Sequence, residues 1–174
     1  MEFLSALKER IPDYAKDVRL NLDAVIARSS LDAADAVGAA LAAAYAARSK
    51  TIVDAIRSSG ALDETDINAA LSAAALMGMN NVWYPYVEMA HDEDLKTQRA
   101  ELRMNAYATH GGVDKKRFEL FSLAASIVGK CHFCVASHYK MLKENGLSAQ
   151  QLRDVGRIAA VVTAAANVLA AEGA

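Results

Sequence analysis

Proline stands at only two of 174 positions, Pro12 and Pro85, in a chain dominated by alanine and free of any sustained alternation of β-branched and polar residues. Alanine is the strongest helix former, and a half-buried strand needs a period of two, so the chain is restricted to an all-α fold. Its length suits one compact multi-helix domain over residues 1–174, with a sizeable core. Pro12 suits a first helical turn and is followed by Tyr14, Val18, Leu20, Leu22, Val25 and Ile26 at mostly helical spacing. An Ala-rich helix is predicted from about Asp32 to Arg48, and a shorter one from Thr51 to the stop at Ser59-Gly60. Asp63 or Thr65 caps the next, which turns Ile67, Leu71, Ala74, Ala75 and Met79 to a core until Pro85 ends or bends it among Trp83, Tyr84 and Tyr86.

The charged stretch from His91 to Glu101 reads as a connector with some helix, and His110-Gly111-Gly112 as a loop. Asp114 caps a helix that is apolar on nearly every side from Phe118 to Val128 and breaks at Gly129. Another runs to Asn145-Gly146, and the Ser148/Gln151 capping box opens the last, which ends near Glu172. Seven or eight helices result. A shift of 86 residues lays Gly60–Val82 over Gly146–Val168, mostly alanine on alanine, the pattern of a duplicated helical unit.

The formal net charge is −2 with both signs mixed along the chain, which gives nucleic acid and anionic membrane no basic face. Residues Met1 to Arg10 lack the pattern of a secretion signal, and the apolar runs Ala36–Ala47 and Ile158–Ala171 fall short of the roughly 20 residues that span a bilayer. The expectation is a cytoplasmic protein. Its two cysteines then face a reducing compartment, where a purely structural disulfide does not persist, so their closeness asks for a chemical reason.

That reason lies in Cys131-His132-Phe133-Cys134-Val135-Ala136-Ser137-His138, placed where one helix breaks and another begins. Cysteines three apart on a first helical turn can open and close a disulfide, and helix N-terminal donors stabilise thiolate. His138, four residues after Cys134, shares its face and can take the thiol proton. Glu119 is out of character in an apolar helix and needs a partner. If the chain folds back at Gly129, Glu119 and His138 lie about 15 Å and about 13.5 Å from the bend and come level. Glu119 could then orient the imidazole, as in a Cys-His-acid triad. Two other readings stay open: inert buried thiols, and a zinc half-site of both cysteines completed by His138 with His132 or Glu119. His91 and His110 read as surface residues, and Trp83, Tyr84 and Tyr86 as core or subunit interface.

Glu119, Cys131, Cys134 and His138 at this spacing resemble the alkylhydroperoxidase D family of the carboxymuconolactone decarboxylase-like helical superfamily. The resemblance extends to Pro12–Asp17, Leu22, Met77–Val82 and Leu102–Asn105, nearly the whole chain. It implies an antioxidant homotrimer or related oligomer that reduces organic hydroperoxides and regenerates a partner peroxiredoxin, alkylhydroperoxidase C. Electrons would come from NADH through lipoamide dehydrogenase and the lipoyl group of a dihydrolipoamide acyltransferase, with no bound cofactor or metal. By the same resemblance, Cys134 attacks peroxide and becomes sulfenic acid. Cys131 resolves it as the Cys131–Cys134 disulfide and supplies a proton, and Glu119 with His138 forms the relay. The redox-active half spans about 113–174. One departure stands out: family members carry histidine directly before the second cysteine, where this chain has Phe133 and places an auxiliary His132 one residue earlier, about 100° around a helix. A general dithiol-disulfide oxidoreductase and a zinc-binding interaction module are the alternatives.

Overall fold

A computed structural model describes residues 1–173, among which there are ten α-helices and no strand. They are α1 (Glu2–Glu9), α2 (Lys16–Ile26), α3 (Ala33–Ala46), α4 (Lys50–Ser58), α5 (Glu64–Ala90), α6 (Glu93–Thr97), α7 (Ala106–Thr109), α8 (Lys115–Gly129), α9 (His132–Glu144) and α10 (Ala149–Ala171). The number exceeds seven or eight because α1, α6 and α7 are short. Each is too brief for periodicity to reveal; α1 is held by burial of Phe3, Leu4 and Leu7, and α6 by the Asp92 carboxylate accepting from the Asp94 and Leu95 amides. Pro12 stands before a 3₁₀ turn, Asp13–Ala15, that leads into α2.

Helix α3 is the centre, packed by α5, α8 and α10, with every residue from Ala36 to Ala44 buried. Small side chains make this possible: a Cβ on Gly38 would overlap the ring of Phe121 on α8. Arg117 on α8 ties that helix to α3 and α5 from outside, donating from Nε to Asp35 at 2.8 Å and from Nη1 to Asp66 at 2.9 Å.

Two expectations about α5 are corrected. Of the two outcomes expected at Pro85, an end or a bend, the end does not occur; the helix runs on to Ala90 and stops where His91 takes a left-handed φ of 51°. Proline forfeits one backbone hydrogen bond, a loss that a long helix packed on α3, α8 and α9 absorbs. Ala75 and Met79 face outward, because the inward stripe of α5 is drawn by Ala69, Ala70, Ala73, Ala74, Met77 and Asn80. A stripe made of alanine gives side-chain size no power to mark the core face.

Gly129 remains helical, and the left-handed turn residue is Lys130, at φ 55°. Glycine is required at 129 for another reason: a Cβ there would strike the side chain of Asn81, which donates to the Ala125 carbonyl at 3.2 Å. His91 is exposed, whereas His110 is half-buried against Phe118, its ring 5.8 Å away. Trp83 and Tyr84 are half-buried and Tyr86 is exposed.

Helix α10 opens at the Ser148/Gln151 capping box. At 23 residues it is longer than its apolar run, and by length and composition alone it could cross a membrane. Its inner face packs on α2, α3 and α8. It also buries Asp154, which accepts from the Ser30 amide at 2.9 Å and hydroxyl at 2.8 Å, and from Arg153 and Arg157. Burial alone would raise its pKa, but these donors outweigh burial and hold the carboxyl below the ordinary range. A depressed folded pKa stabilises the fold above the unfolded value of about 3.9, and the benefit is lost as pH falls below it. Asp154→Asn is therefore expected to lower the urea midpoint at pH 7, with the gap from wild type narrowing by pH 3. An equal gap at both pH values would rule out this electrostatic account.

Candidate active site

Helices α8 and α9 form a hairpin through Lys130 and Cys131. The turn follows from local chemistry: the Lys130 amide closes α8 on the Ile127 carbonyl at 3.1 Å, and the Cys131 amide on that of Ser126 at 3.3 Å. Cys131 is the N-cap of α9, and its sulfur accepts from the Cys134 amide at 3.2 Å. Cys131 and Cys134 form a disulfide with Cα atoms 5.3 Å apart, and both are buried.

The hairpin brings Glu119 on α8 level with His138 on α9. Glu119 Oε2 lies 2.6 Å from His138 Nδ1, and both side chains are about 95% shielded from solvent. Ionised, the carboxylate is acceptor-only, so Nδ1 donates and Nε2 is left to face the site. Around Nε2 stand the sulfur of Met77 at 3.2 Å and the hydroxyl of Tyr107 at 3.5 Å, the phenol ring stacked over the imidazole at 9°. Burial, followed by the nearby Glu119 charge, pushes the Tyr107 pKa well up, so the phenol stays a hydrogen-bond donor.

A cavity of about 130 Å³ opens at this point, lined by Cys134, Ser137 and His138 from α9, Asn80 and Tyr84 from α5, and Met104, Tyr107 and Phe133. A shallower apolar hollow of about 520 Å³ lies on the other side of the pair, where Cys131, Lys130, His132 and Tyr139 meet Ile127, Val135 and Ala136. A larger hollow, about 780 Å³ beside α3, α4 and α5, is lined by neither cysteine nor histidine and carries none of this chemistry.

Cys131, Cys134, Glu119 and His138 are thus brought together. His132 is not: it projects into solvent, 3.6 Å from Glu88. Phe133, itself exposed at the surface, stacks on Tyr84 at 4.2 Å and forms one wall of the small cavity. Tyr107, Asn80 and Tyr84 were not singled out as site residues from sequence. Tyr107 offers no signal there, while Asn80 sits in the Met77–Val82 stretch and Tyr84 in the aromatic cluster. No group of three or more His, Cys, Asp or Glu side chains among the described residues is placed to hold a metal ion.

Fold and site together define an all-helical protein with a vicinal cysteine pair set over a buried Glu-His couple. Residues 93–174 match the model of the carboxymuconolactone decarboxylase family. The chain is 47% identical over 173 residues to the alkyl hydroperoxide reductase AhpD of Rhodospirillum centenum, covering 98% of this chain and 92% of that one. It is 42% identical over 170 residues to that of a Bradyrhizobium species, covering 97% and 93%, and 39% identical over 170 residues to that of Coxiella burnetii, covering 95% and 96%. The chain belongs to the alkyl hydroperoxide reductase AhpD family.

Proposed function

We propose that the protein is a cytoplasmic antioxidant thiol peroxidase that reduces organic hydroperoxides through Cys134 and Cys131. The observation that carries this reading is the buried Glu119–His138 pair, whose imidazole lines one small cavity together with Cys134. His138 takes the Cys134 thiol proton, and Glu119 stabilises the imidazolium that results. The thiolate attacks the terminal peroxide oxygen and the O–O bond breaks. The alkoxide leaves with the proton from His138, giving alcohol and a Cys134 sulfenic acid. Cys131 then attacks that sulfur, water leaves, and the disulfide closes.

Reduction returns two electrons from a dithiol, with dihydrolipoamide on a lipoyl-bearing acyltransferase, itself fed by NADH through lipoamide dehydrogenase, as the donor. The reduced pair also reduces the disulfide of a partner peroxiredoxin, alkylhydroperoxidase C. No bound cofactor enters these steps. The reading is tested by titrating thiols before and after one equivalent of tert-butyl hydroperoxide, then after dihydrolipoamide. Loss of two thiols and their return is the expected result; two thiols that persist beside intact peroxide overturn it.

One observation favours a second reading, a general disulfide reductase. The Cys134 amide points at the Cys131 sulfur, so the helix N-terminus stabilises negative charge on Cys131, as in oxidoreductases that attack with the first cysteine. Rapid exchange with dithiols and no thiol loss to hydroperoxide would favour it.

The working unit in this proposal is a homotrimer. Met79, Val82, Tyr86 and Met89 are all exposed and follow one another on α5 at three, four and three residues, a continuous apolar seam. Val82→Arg with Met89→Arg is expected to yield monomers by light scattering with the helical circular dichroism unchanged. A trimer that survives both changes places the interface elsewhere.

A further inference from the structure

The same face of α5 that sends Met77 to His138 and Tyr84 to Phe133 carries Asn80 between them, three residues after the first and four before the second. Asn80 is only 4% exposed, lines the cavity with Cys134 and His138, and has a fully enclosed carboxamide oxygen without a hydrogen-bond partner among the described residues. Buried amide groups are nearly always paired, because an orphaned one is destabilising. Its backbone carbonyl serves the other cysteine, lying 3.9 Å from the Cys131 sulfur. One residue therefore touches the surroundings of both sulfurs, and only its side chain is left unsatisfied.

We propose that the Asn80 carboxamide is the binding group for the hydroperoxide head: a turn about its Cβ–Cγ bond presents the enclosed oxygen to the cavity, where it accepts from the terminal O–H of R–O–O–H and fixes that oxygen for attack by Cys134. This rests on the peroxidase reading above and adds the substrate's anchoring point to it. A peroxide suits this acceptor because its terminal oxygen carries the single proton that an orphaned acceptor needs, and its inner oxygen accepts. The Tyr107 hydroxyl, beside His138 Nε2 and lining the same cavity, is the donor for the inner oxygen. Donors and acceptors thus bracket the O–O bond, and the pair of contacts discriminates a peroxide from a disulfide, which has no proton to give.

The cavity also sets the size of what it holds. At about 130 Å³ it is well below the roughly 300 Å³ where pockets for whole organic ligands begin, so it takes the peroxyl head and a short alkyl stub. Any longer chain leaves across the stacked rings of Tyr84 and Phe133, which form the apolar part of the wall. The subsite is selective for the head and tolerant of the tail.

The test compares reduced wild type with Asn80→Leu and Asn80→Ala in two reactions of the same thiol. One is the second-order rate with tert-butyl hydroperoxide, read by loss of thiol; the other is alkylation by iodoacetamide across pH with Cys131→Ser added to each protein, which reports Cys134 reactivity without a peroxide. Loss of one peroxide hydrogen bond should slow the first reaction by at least about tenfold and leave the second within about twofold. Removing an unpaired buried amide should leave Tm unchanged or raised, and Asn80→Ala covers the case in which leucine overfills the cavity. Equal losses in both reactions, or no loss in the first, would overturn the assignment. A wild type that alkylates normally yet consumes no hydroperoxide overturns the peroxidase reading itself, and this inference with it, and is told apart by that control alone.

Discussion

Cys134→Ser is expected to abolish hydroperoxide consumption, and Cys131→Ser to leave a single stoichiometric round. The asymmetry comes from position. Cys134 shares a helix face with His138 and lines the cavity that holds the imidazole. Cys131 lies at the N-cap, fully buried, against the Asn80 carbonyl and the Cys134 amide. Without Cys134 there is no nucleophile at the cavity, and a serine hydroxyl is far too basic to replace it. Without Cys131 the first attack still occurs, but the sulfenic acid has no resolving thiol. Intact mass should then show one added oxygen on Cys131→Ser, trapped by dimedone, and no turnover with dihydrolipoamide. The Cys134 amide that donates to the Cys131 sulfur makes this a sharp test, since it stabilises thiolate on Cys131 rather than on Cys134. Turnover retained by Cys134→Ser, or a first round lost only in Cys131→Ser, would reverse the roles.

The second large effect is expected at the Glu119–His138 pair. Positioned general bases contribute about 10²–10⁴-fold, so His138→Asn should lower the hydroperoxide rate by that order and shift the pH dependence of iodoacetamide alkylation to higher pH. Glu119→Gln keeps the shape and an acceptor for Nδ1–H but loses the charge that stabilises imidazolium, so its loss should be smaller. Glu119→Ala leaves the buried Nδ1–H without its acceptor, a change that typically destabilises by about 1–3 kcal/mol, and should lower Tm as well as rate. If His138→Asn left both the rate and the alkylation profile unchanged, the relay would be refuted even with the cysteine chemistry intact.

Much of this arrangement is legible along the chain. Capping signals at Asp63, Asp114 and Ser148 locate three helix starts, and each side chain accepts from the amide three residues on. Glu119 stands out because an acid inside Phe118–Ala124 has no business there without a partner, and a hairpin is the simplest way to supply one. Gly129 does mark the end of α8, but its own backbone is helical; the demand for glycine comes from Asn81 across the interface and not from the local φ.

What the sequence by itself determined was local. Alanine content gave the helices, i to i+3 and i to i+4 spacing tied Cys131, Cys134 and His138 to one helix start, and an ill-placed acid announced a buried partner. Only the tertiary structure decided which surfaces meet. It carried α5 past Pro85, placed Phe133 on Tyr84, sent His132 into solvent, and brought Met77, Asn80 and Tyr107 around the imidazole. The physical reason is that these contacts join helices far apart in the chain, through close approaches set by alanine and glycine. Such residues mark a face by having almost no side chain, which leaves no periodic signal to read.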